Sequence, residues 1–192
     1  MTSDEDDAFE RELEELEREF EEPVAGEPTR FRRDGEAVAV SITEPEATLL
    51  ESIAGELAPV LAAPSDASDP VSERLYPSAY LDPTEEGAEQ EWQELVRPDL
   101  VRQRLEALER LTTSLRRGRK TQGWVELELD AGEAEAWLSA LNDARLALGT
   151  RLGVTEDLDL GTIDERHPNA AAYAVYELLT FMEQELVEVL LG

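Results

Sequence analysis

Apolar residues recur at two spacings along the chain, and these spacings separate predicted helices from predicted strands. Steps of three and four residues predict helices over residues 44–61, 83–96, 99–115, 131–152 and, roughly, 168–190. Strict alternation in WVELELD instead predicts a strand, with Val125, Leu127 and Leu129 on one face. The chain is therefore expected to be mainly helical with some β-structure.

The segment TRFRRDGEAVAVSI predicts a β-hairpin close to the start of this pattern. Two short strand-like runs, residues 29–33 and 36–42, flank Asp34-Gly35, a pair typical of tight hairpin turns. Thr43 and Glu46 follow at the spacing of a capping box, so we expect a helix to begin there.

The order of elements is helix, two strands, helices, one strand and two helices. This order predicts an α+β fold, mainly helical, with a small three-stranded antiparallel sheet packed on helices. Asp130 is expected to cap the helix that follows it, and Gly153 to end that helix. Pro98 is expected to break or kink the helical region around it, because proline lacks a backbone donor.

Residues 1–29 form a segment distinct from the single α+β domain predicted over residues 30–192. The segment carries 13 acidic residues and two arginines, a net charge of −11. Its apolar residues follow steps of four, three and four and make a two-heptad seam, a candidate interaction surface formed by Phe9, Leu13, Leu16 and Phe20. Two heptads are marginal alone, so this helix is expected to dock on its own domain, pair with a second copy, or fray.

Charge and cysteine content narrow the classes of function. A formal net charge of −29 disfavours nucleic-acid and membrane binding and favours a protein partner with a basic surface. The absence of cysteine excludes disulfides, thiolate metal sites and cysteine nucleophiles within this chain. No apolar run approaches the roughly 20 residues that span a bilayer, and the acidic N-terminus does not resemble a signal peptide. We therefore expect a cytoplasmic protein.

Arg145 is the most unusual polar residue in the pattern. At 100° per residue it falls inside an apolar stripe of its helix, formed by Trp137, Leu138, Leu141, Leu148 and Leu152. A guanidinium keeps its charge, so burial requires an anion. Glu183 is similarly isolated on the apolar face of the last helix, which predicts a structural Arg145–Glu183 ion pair. The alternatives are an anionic ligand at Arg145, or a side chain that reaches water.

Other candidate chemistry is weaker. His167 precedes the last helix and is expected in an exposed loop or cap. Residues 155–165 have the acid spacing of a calcium loop but lack its glycine and its final glutamate. The basic run at residues 116–120 is expected to offset helix carbonyls and the chain's own acidic surface in preference to binding RNA. We predict no catalytic residue, metal or cofactor.

The stretch WLSALNDARLALGTRLGVTED, with LYPSAYLD and FRRDGEAVAV upstream, resembles an actinobacterial family named domain of unknown function 2017. The resemblance covers nearly everything after residue 29 and is most specific over residues 137–157. It implies no activity, cofactor or catalytic residue. Genes of this family commonly lie beside the adaptor of the Clp protease that handles destabilising N-terminal residues, which implies a cytoplasmic role near regulated proteolysis.

These observations favour a non-enzymatic protein-binding or regulatory module with a protein partner, of which Clp protease components are one candidate. Homodimerisation through the first or last helix is a further expectation. The alternative is a small-anion-binding protein or an enzyme that uses Arg145 as an anion clamp.

Overall fold

The computed structural model describes residues 29–63, 68–80, 86–158, 163–164 and 166–192. Across these ranges the elements are β1 (Phe31–Asp34), β2 (Ala37–Thr43), α1 (Glu44–Ala62), α2 (Pro70–Leu75), α3 (Glu86–Arg117), β3 (Arg119–Thr121), β4 (Trp124–Leu129), α4 (Ala131–Leu152) and α5 (Ala170–Leu191). The predicted α+β class, mainly helical with a small antiparallel sheet on helices, is confirmed. The seam of Phe9, Leu13, Leu16 and Phe20 lies outside the described residues.

The sheet has four strands where three were predicted. Its order is β1-β2-β4-β3, with antiparallel neighbours throughout. The additional strand, β3, takes part of the basic run at residues 116–120, for which the sequence predicted no strand. It joins β4 through Gln122 and Gly123, whose φ angles are 52° and 86°. A positive φ is uncommon for glutamine, so the pair gave little turn signal in the sequence.

The predicted β1–β2 hairpin is present, with its turn one residue later than expected. Asp34 pairs with Ala37 in the ladder, so the turn consists of Gly35 and Glu36. Gly35 has a φ of 64°, a left-handed conformation that glycine adopts without a steric cost. Asp34 is therefore a strand residue, and the expected Asp34-Gly35 turn was wrong by one position.

One face of the sheet is buried against the helices, as the alternation predicted. The inward residues of β2 and β4 are Val38, Val40, Ile42, Val125, Leu127 and Leu129. Thr43 and Glu46 form the predicted capping box at the start of α1, and Asp130 forms a second one with Glu133 at the start of α4. These caps fix where both helices leave the sheet.

Helix α3 continues through Pro98, so the predicted break of the helix at this residue is wrong. Proline removes a hydrogen bond to the carbonyl four residues earlier, here that of Glu94. Pro98 and Glu94 are both exposed, so water can satisfy that carbonyl and the helix can continue.

Helix α4 is the central helix of the domain and packs against α1, α2, α3 and α5. Trp137 is fully buried and donates from Nε1 to Ser114 Oγ at 2.7 Å, and Ser114 donates to the Leu111 carbonyl. At Gly149 a side chain would place its Cβ 2.8 Å from the ring of Tyr176 in α5. The glycine therefore permits a close crossing of α4 and α5, and left-handed Gly153 ends α4 as predicted.

Candidate interaction groove and charged pairs

Arg145 and Glu183 lie next to each other, because α4 and α5 pack side by side. Arg145 Nε donates to Glu183 Oε2 at 2.5 Å, and Nη2 donates to Asn142 Oδ1 at 3.2 Å. The two side chains retain 26% and 20% of their exposure, so the pair lies at the edge of the core and is not sealed inside it. Burial lowers the pKa of Arg145, but the hydrogen bond and charge of Glu183 outweigh it and raise the pKa above its ordinary value.

A second ion pair, which the sequence did not suggest, joins α3 to α4. Asp143 is 3% exposed, and its Oδ1 accepts a hydrogen bond from Arg104. Arg104 also donates to the Leu75 carbonyl at 2.8 Å and lies over the ring of Tyr76. Arg104 thus connects α4 to the end of α2.

Asp143 is the most perturbed acid in the described part of the chain. Burial raises its pKa to about 6, because the charge and hydrogen bond of Arg104 offset the desolvation of the carboxylate only in part. Its Oδ2 is buried and lacks a hydrogen-bond partner among the described residues. The carboxyl group is therefore poised to take up a proton in mildly acidic solution.

The basic run at residues 116–120 pairs with carboxylates of the same chain. Arg117 forms an ion pair with Glu133, and Arg119 forms one with Glu126 on the neighbouring strand. Arg116 lies 3.4 Å from Glu51 of α1. This geometry matches the expected role of offsetting the chain's own acidic surface.

The other candidate residues from the sequence, His167 and the calcium-like stretch, are not brought together with further ligand groups in the described part of the chain. His167 is exposed, accepts a hydrogen bond from the backbone of Asn169 and contacts the Tyr173 ring edge-on. Among the described residues, no three His, Cys, Asp or Glu side chains come together in a group able to hold a metal ion. Part of the calcium-like stretch, residues 159–162 and 165, lies outside the described residues. No helix in the described ranges is both long and apolar enough to cross a bilayer.

An apolar groove lies between α1 and α5, with α4 as its floor, and we call it the α1–α5 groove. It has a volume of about 210 Å³. Its apolar lining consists of Leu49, Ile53, Leu57, Val60, Ala144, Leu148, Ala172, Val175 and Leu179. Ser52, Glu56 and Arg151 complete the lining. A concave apolar surface with a few polar groups is suited to receive the apolar face of a helix.

Comparisons with known proteins place the chain beside bacterial regulators. Proteins named oxidative stress regulator AosR, from Mycobacterium bovis and Mycobacterium tuberculosis, are 30% identical over 191 residues, covering 83% of this chain and 85% of theirs. A putative oxidative stress regulator AosR from Mycobacterium leprae is 31% identical over 135 residues, covering 65% of this chain and 59% of its own length. No solved structure matches.

The model of a domain of unknown function, DUF2017, matches residues 28–190. This span includes every described strand and helix except the last residue of α5. The chain belongs to the DUF2017 family.

Proposed function

We propose that this protein is a non-enzymatic, cytoplasmic regulator that acts by binding another protein, and that the α1–α5 groove is its contact surface. The groove is the observation that carries the proposal. Nine of its twelve lining residues are apolar, and they come from three helices whose mutual packing fixes the shape of the surface. The partner is expected to supply an amphipathic helix whose apolar side chains fill the groove.

The relatives support a regulatory role, since they are named as regulators of oxidative stress. In this chain such a role cannot depend on thiol oxidation, because there is no cysteine. The sulfur atoms of the chain belong to Met1 and Met182, and Met182 is fully buried in α5. A response to oxidants would therefore reach this protein through its partner, which is a further reason to expect protein binding.

The alternative, an anion clamp at Arg145, has less support. Glu183 and Asn142 already occupy Nε and Nη2 of the guanidinium. An anionic ligand would have to displace or share a carboxylate that is part of the same domain, at a cost in desolvation and pairing.

Site-specific photo-cross-linking tests the proposal in cells of the source organism. A photoreactive residue at Ile53, which lines the groove, is expected to capture a protein. The matched control is Thr48, an exposed residue of the same helix that does not line the groove. A defined protein adduct at position 53 and none at position 48 supports the proposal. The experiment is done in cells with and without peroxide treatment. Equal capture at both positions contradicts the proposal. The absence of any protein adduct at position 53 under both conditions also contradicts it.

The link to Clp-dependent proteolysis is a more specific proposal and has its own test. The purified Clp adaptor is titrated into the full chain, into Ile53→Glu and into Thr48→Glu. A charge introduced into the centre of the contact should weaken binding by about tenfold or more, whereas the control should not. Failure of the adaptor to bind the unaltered chain removes the Clp link and leaves protein binding to be tested by cross-linking.

Homodimerisation through the last helix stays a prediction. On α5, Phe181 and Leu191 retain 58% and 85% of their exposure, so the helix presents apolar side chains outward. The first helix, the other candidate, lies outside the described residues.

A further inference from the structure

We propose that α2 is a pH-dependent strap: it stays docked on α4 when Asp143 is protonated and detaches more often when Asp143 is ionised. Detachment exposes the face of α4 around Asp143, so the surface that this domain presents changes with pH. The strap is independent of the function assigned above to the α1–α5 groove, and each can fail without the other.

Arg104 divides its guanidinium between Asp143 and the end of α2. Nη1 donates to Asp143 Oδ1, and Nη2 donates to the carbonyl of Leu75, the last residue of α2, at 2.8 Å. Asp143 Oδ2 is left without a hydrogen-bond partner among the described residues. An arginine can bind both oxygens of a carboxylate through two parallel hydrogen bonds. The Leu75 carbonyl and Asp143 Oδ2 therefore compete for one donor, Nη2.

The charge of Asp143 decides this competition. An ionised carboxylate accepts hydrogen bonds from a guanidinium more strongly than a neutral carboxyl group or a peptide carbonyl does. Ionised Asp143 thus draws Nη2 away from Leu75 and favours the detached strap, in which water also reaches Oδ2. Protonated Asp143 leaves Nη2 to the Leu75 carbonyl, where a positive charge stabilises the C-terminus of a helix.

The other anchors at the C-terminal end of α2 do not change charge near neutral pH. Val71, Leu75 and Tyr76 are buried, and the Tyr76 hydroxyl donates to the Leu61 carbonyl at 3.1 Å. Arg97 of α3 lies over the Tyr76 ring, 4.1 Å from its centroid. Burial raises the pKa of Tyr76 above its ordinary value, so this hydroxyl stays neutral.

Two groups face Asp143 from the elements packed against it, namely Arg104 of α3 and Tyr76 at the end of α2. A guanidinium keeps its charge throughout the neutral and acidic range. The charged side chains of α2 itself, Glu73 and Arg74, are exposed. Asp143 is therefore the member of this cluster that changes charge in mildly acidic solution.

The size of the effect follows from the solvation of Asp143 in the two states. In the docked state Asp143 is 3% exposed, and burial raises its pKa from 3.8 to about 6. In the detached state water reaches the carboxyl group, and its pKa returns toward the ordinary value. The docked state binds the proton more tightly, so the stability that this proton gives to docking is complete below pH 3.8 and is lost as the pH rises through 6. Between pH 5 and pH 7.5 the equilibrium constant for detachment increases about tenfold.

Hydrogen exchange of the full-length chain at pH 5 and pH 7.5, read by mass spectrometry, measures this equilibrium. Peptides that cover α2 report on the strap, and peptides that cover β4 report on global unfolding. Exchange rates are corrected for the intrinsic effect of pH, and each series is repeated at low urea concentrations. Detachment of a helix of six residues exposes little surface, so its exchange should depend on urea much less than that of β4.

In the unaltered chain, α2 should be protected about tenfold less at pH 7.5 than at pH 5. Asp143→Asn removes the titrating group, so its α2 protection should be the same at both pH values. Asp157→Asn, at an exposed aspartate, should behave like the unaltered chain. Equal protection of α2 at both pH values in the unaltered chain overturns the proposal. An α2 exchange with the urea dependence of β4 also overturns it, since the strap would then open only on global unfolding.

A pH effect of the same size in Asp143→Asn is a third contrary result, because another group would then be its source. Asp69, whose carboxylate accepts hydrogen bonds from the first turn of α2, is one such group. The pH comparison in the unaltered chain needs no substitution, so the proposal can be refuted even if Asp143→Asn does not fold.

Discussion

Replacing Asp143 with asparagine should change how stability depends on pH. The substitution keeps the size of the side chain and removes its ability to ionise. Asp143 is 3% exposed, and burial raises its pKa from 3.8 to about 6 in the folded protein. The folded state therefore binds the Asp143 proton more tightly than the unfolded state. The stability contributed by this proton is complete below pH 3.8 and is lost as the pH rises through 6.

The size of the effect follows from the two pKa values. The full shift of about two units corresponds to about 3 kcal/mol between strongly acidic and neutral solution. Over the narrower range from pH 5 to pH 7.5, the linkage relation gives a change of about 1.4 kcal/mol. This range is more practical, because the chain has a pI near 4.1 and is expected to lose solubility close to it.

Urea unfolding of the unaltered chain and of Asp143→Asn at pH 5 and pH 7.5 measures the difference. Asp157→Asn, at an exposed aspartate, is the control. The free-energy cost of Asp143→Asn should be about 1.4 kcal/mol larger at pH 5 than at pH 7.5, and the control should show no such change. An equal cost at both pH values would mean that Asp143 stays ionised beside Arg104, and would refute the reasoning about its desolvation.

Three further predictions concern packing, pairing and assembly. Gly149→Ala should lower the free energy of unfolding by about 1–2 kcal/mol, because the new methyl group would lie 2.8 Å from the Tyr176 ring. Gly55→Ala, which has open space around it in α1, should raise the free energy of unfolding by about 0.5–1 kcal/mol. Urea unfolding measures both changes. A double-mutant cycle with Arg145→Met and Glu183→Gln should give a coupling of about 1–2 kcal/mol, below that of a sealed pair, and a value near zero would show that the contact is not stabilising. Light scattering should give a dimer mass that falls to the monomer mass in Phe181→Asp, whereas a monomer at high concentration would exclude the homodimer.

The faces of the sheet and the ends of several helices could be predicted because local signals determine them. Alternation alone selected Val125, Leu127 and Leu129 as the inward residues of β4. The spacing of Thr43 and Glu46 selected the start of α1. In each case the observed contact lies within a few residues of the signal, so tertiary packing had little opportunity to override it.

Strand β3 was missed because its residues carry no strand pattern. Three polar residues, Arg119–Thr121, gain their structure from pairing with β4 and from a turn that places Gln122 at a positive φ. Pro98 failed as a helix breaker for a similar reason, since solvent access at that position is a property of the fold.

The buried Asp143 shows what a search for one apolar stripe overlooks. At 100° per residue Asp143 lies opposite the stripe that contains Trp137, where an aspartate is expected to face water. Yet α4 is packed on both sides, and a second stripe of small residues, Ala136, Ala140 and Ala147, lies next to Asp143 on the helix. These alanines were the signal that could have revealed the second buried face. No sequence pattern could have revealed the α1–α5 groove. Its width depends on the separation of α1 and α5 on the surface of α4, which is a property of the tertiary fold.

The most direct test of the central claim, that this protein regulates through the α1–α5 groove, is complementation of a deletion strain under peroxide stress. Ile53→Glu and Thr48→Glu are compared on the same helix, with their cellular levels and thermal stability matched to the unaltered protein. The account predicts that Ile53→Glu behaves like the deletion and that Thr48→Glu restores growth to the level of the unaltered gene. Full complementation by Ile53→Glu would contradict it, because a charged groove would then serve as well as an apolar one.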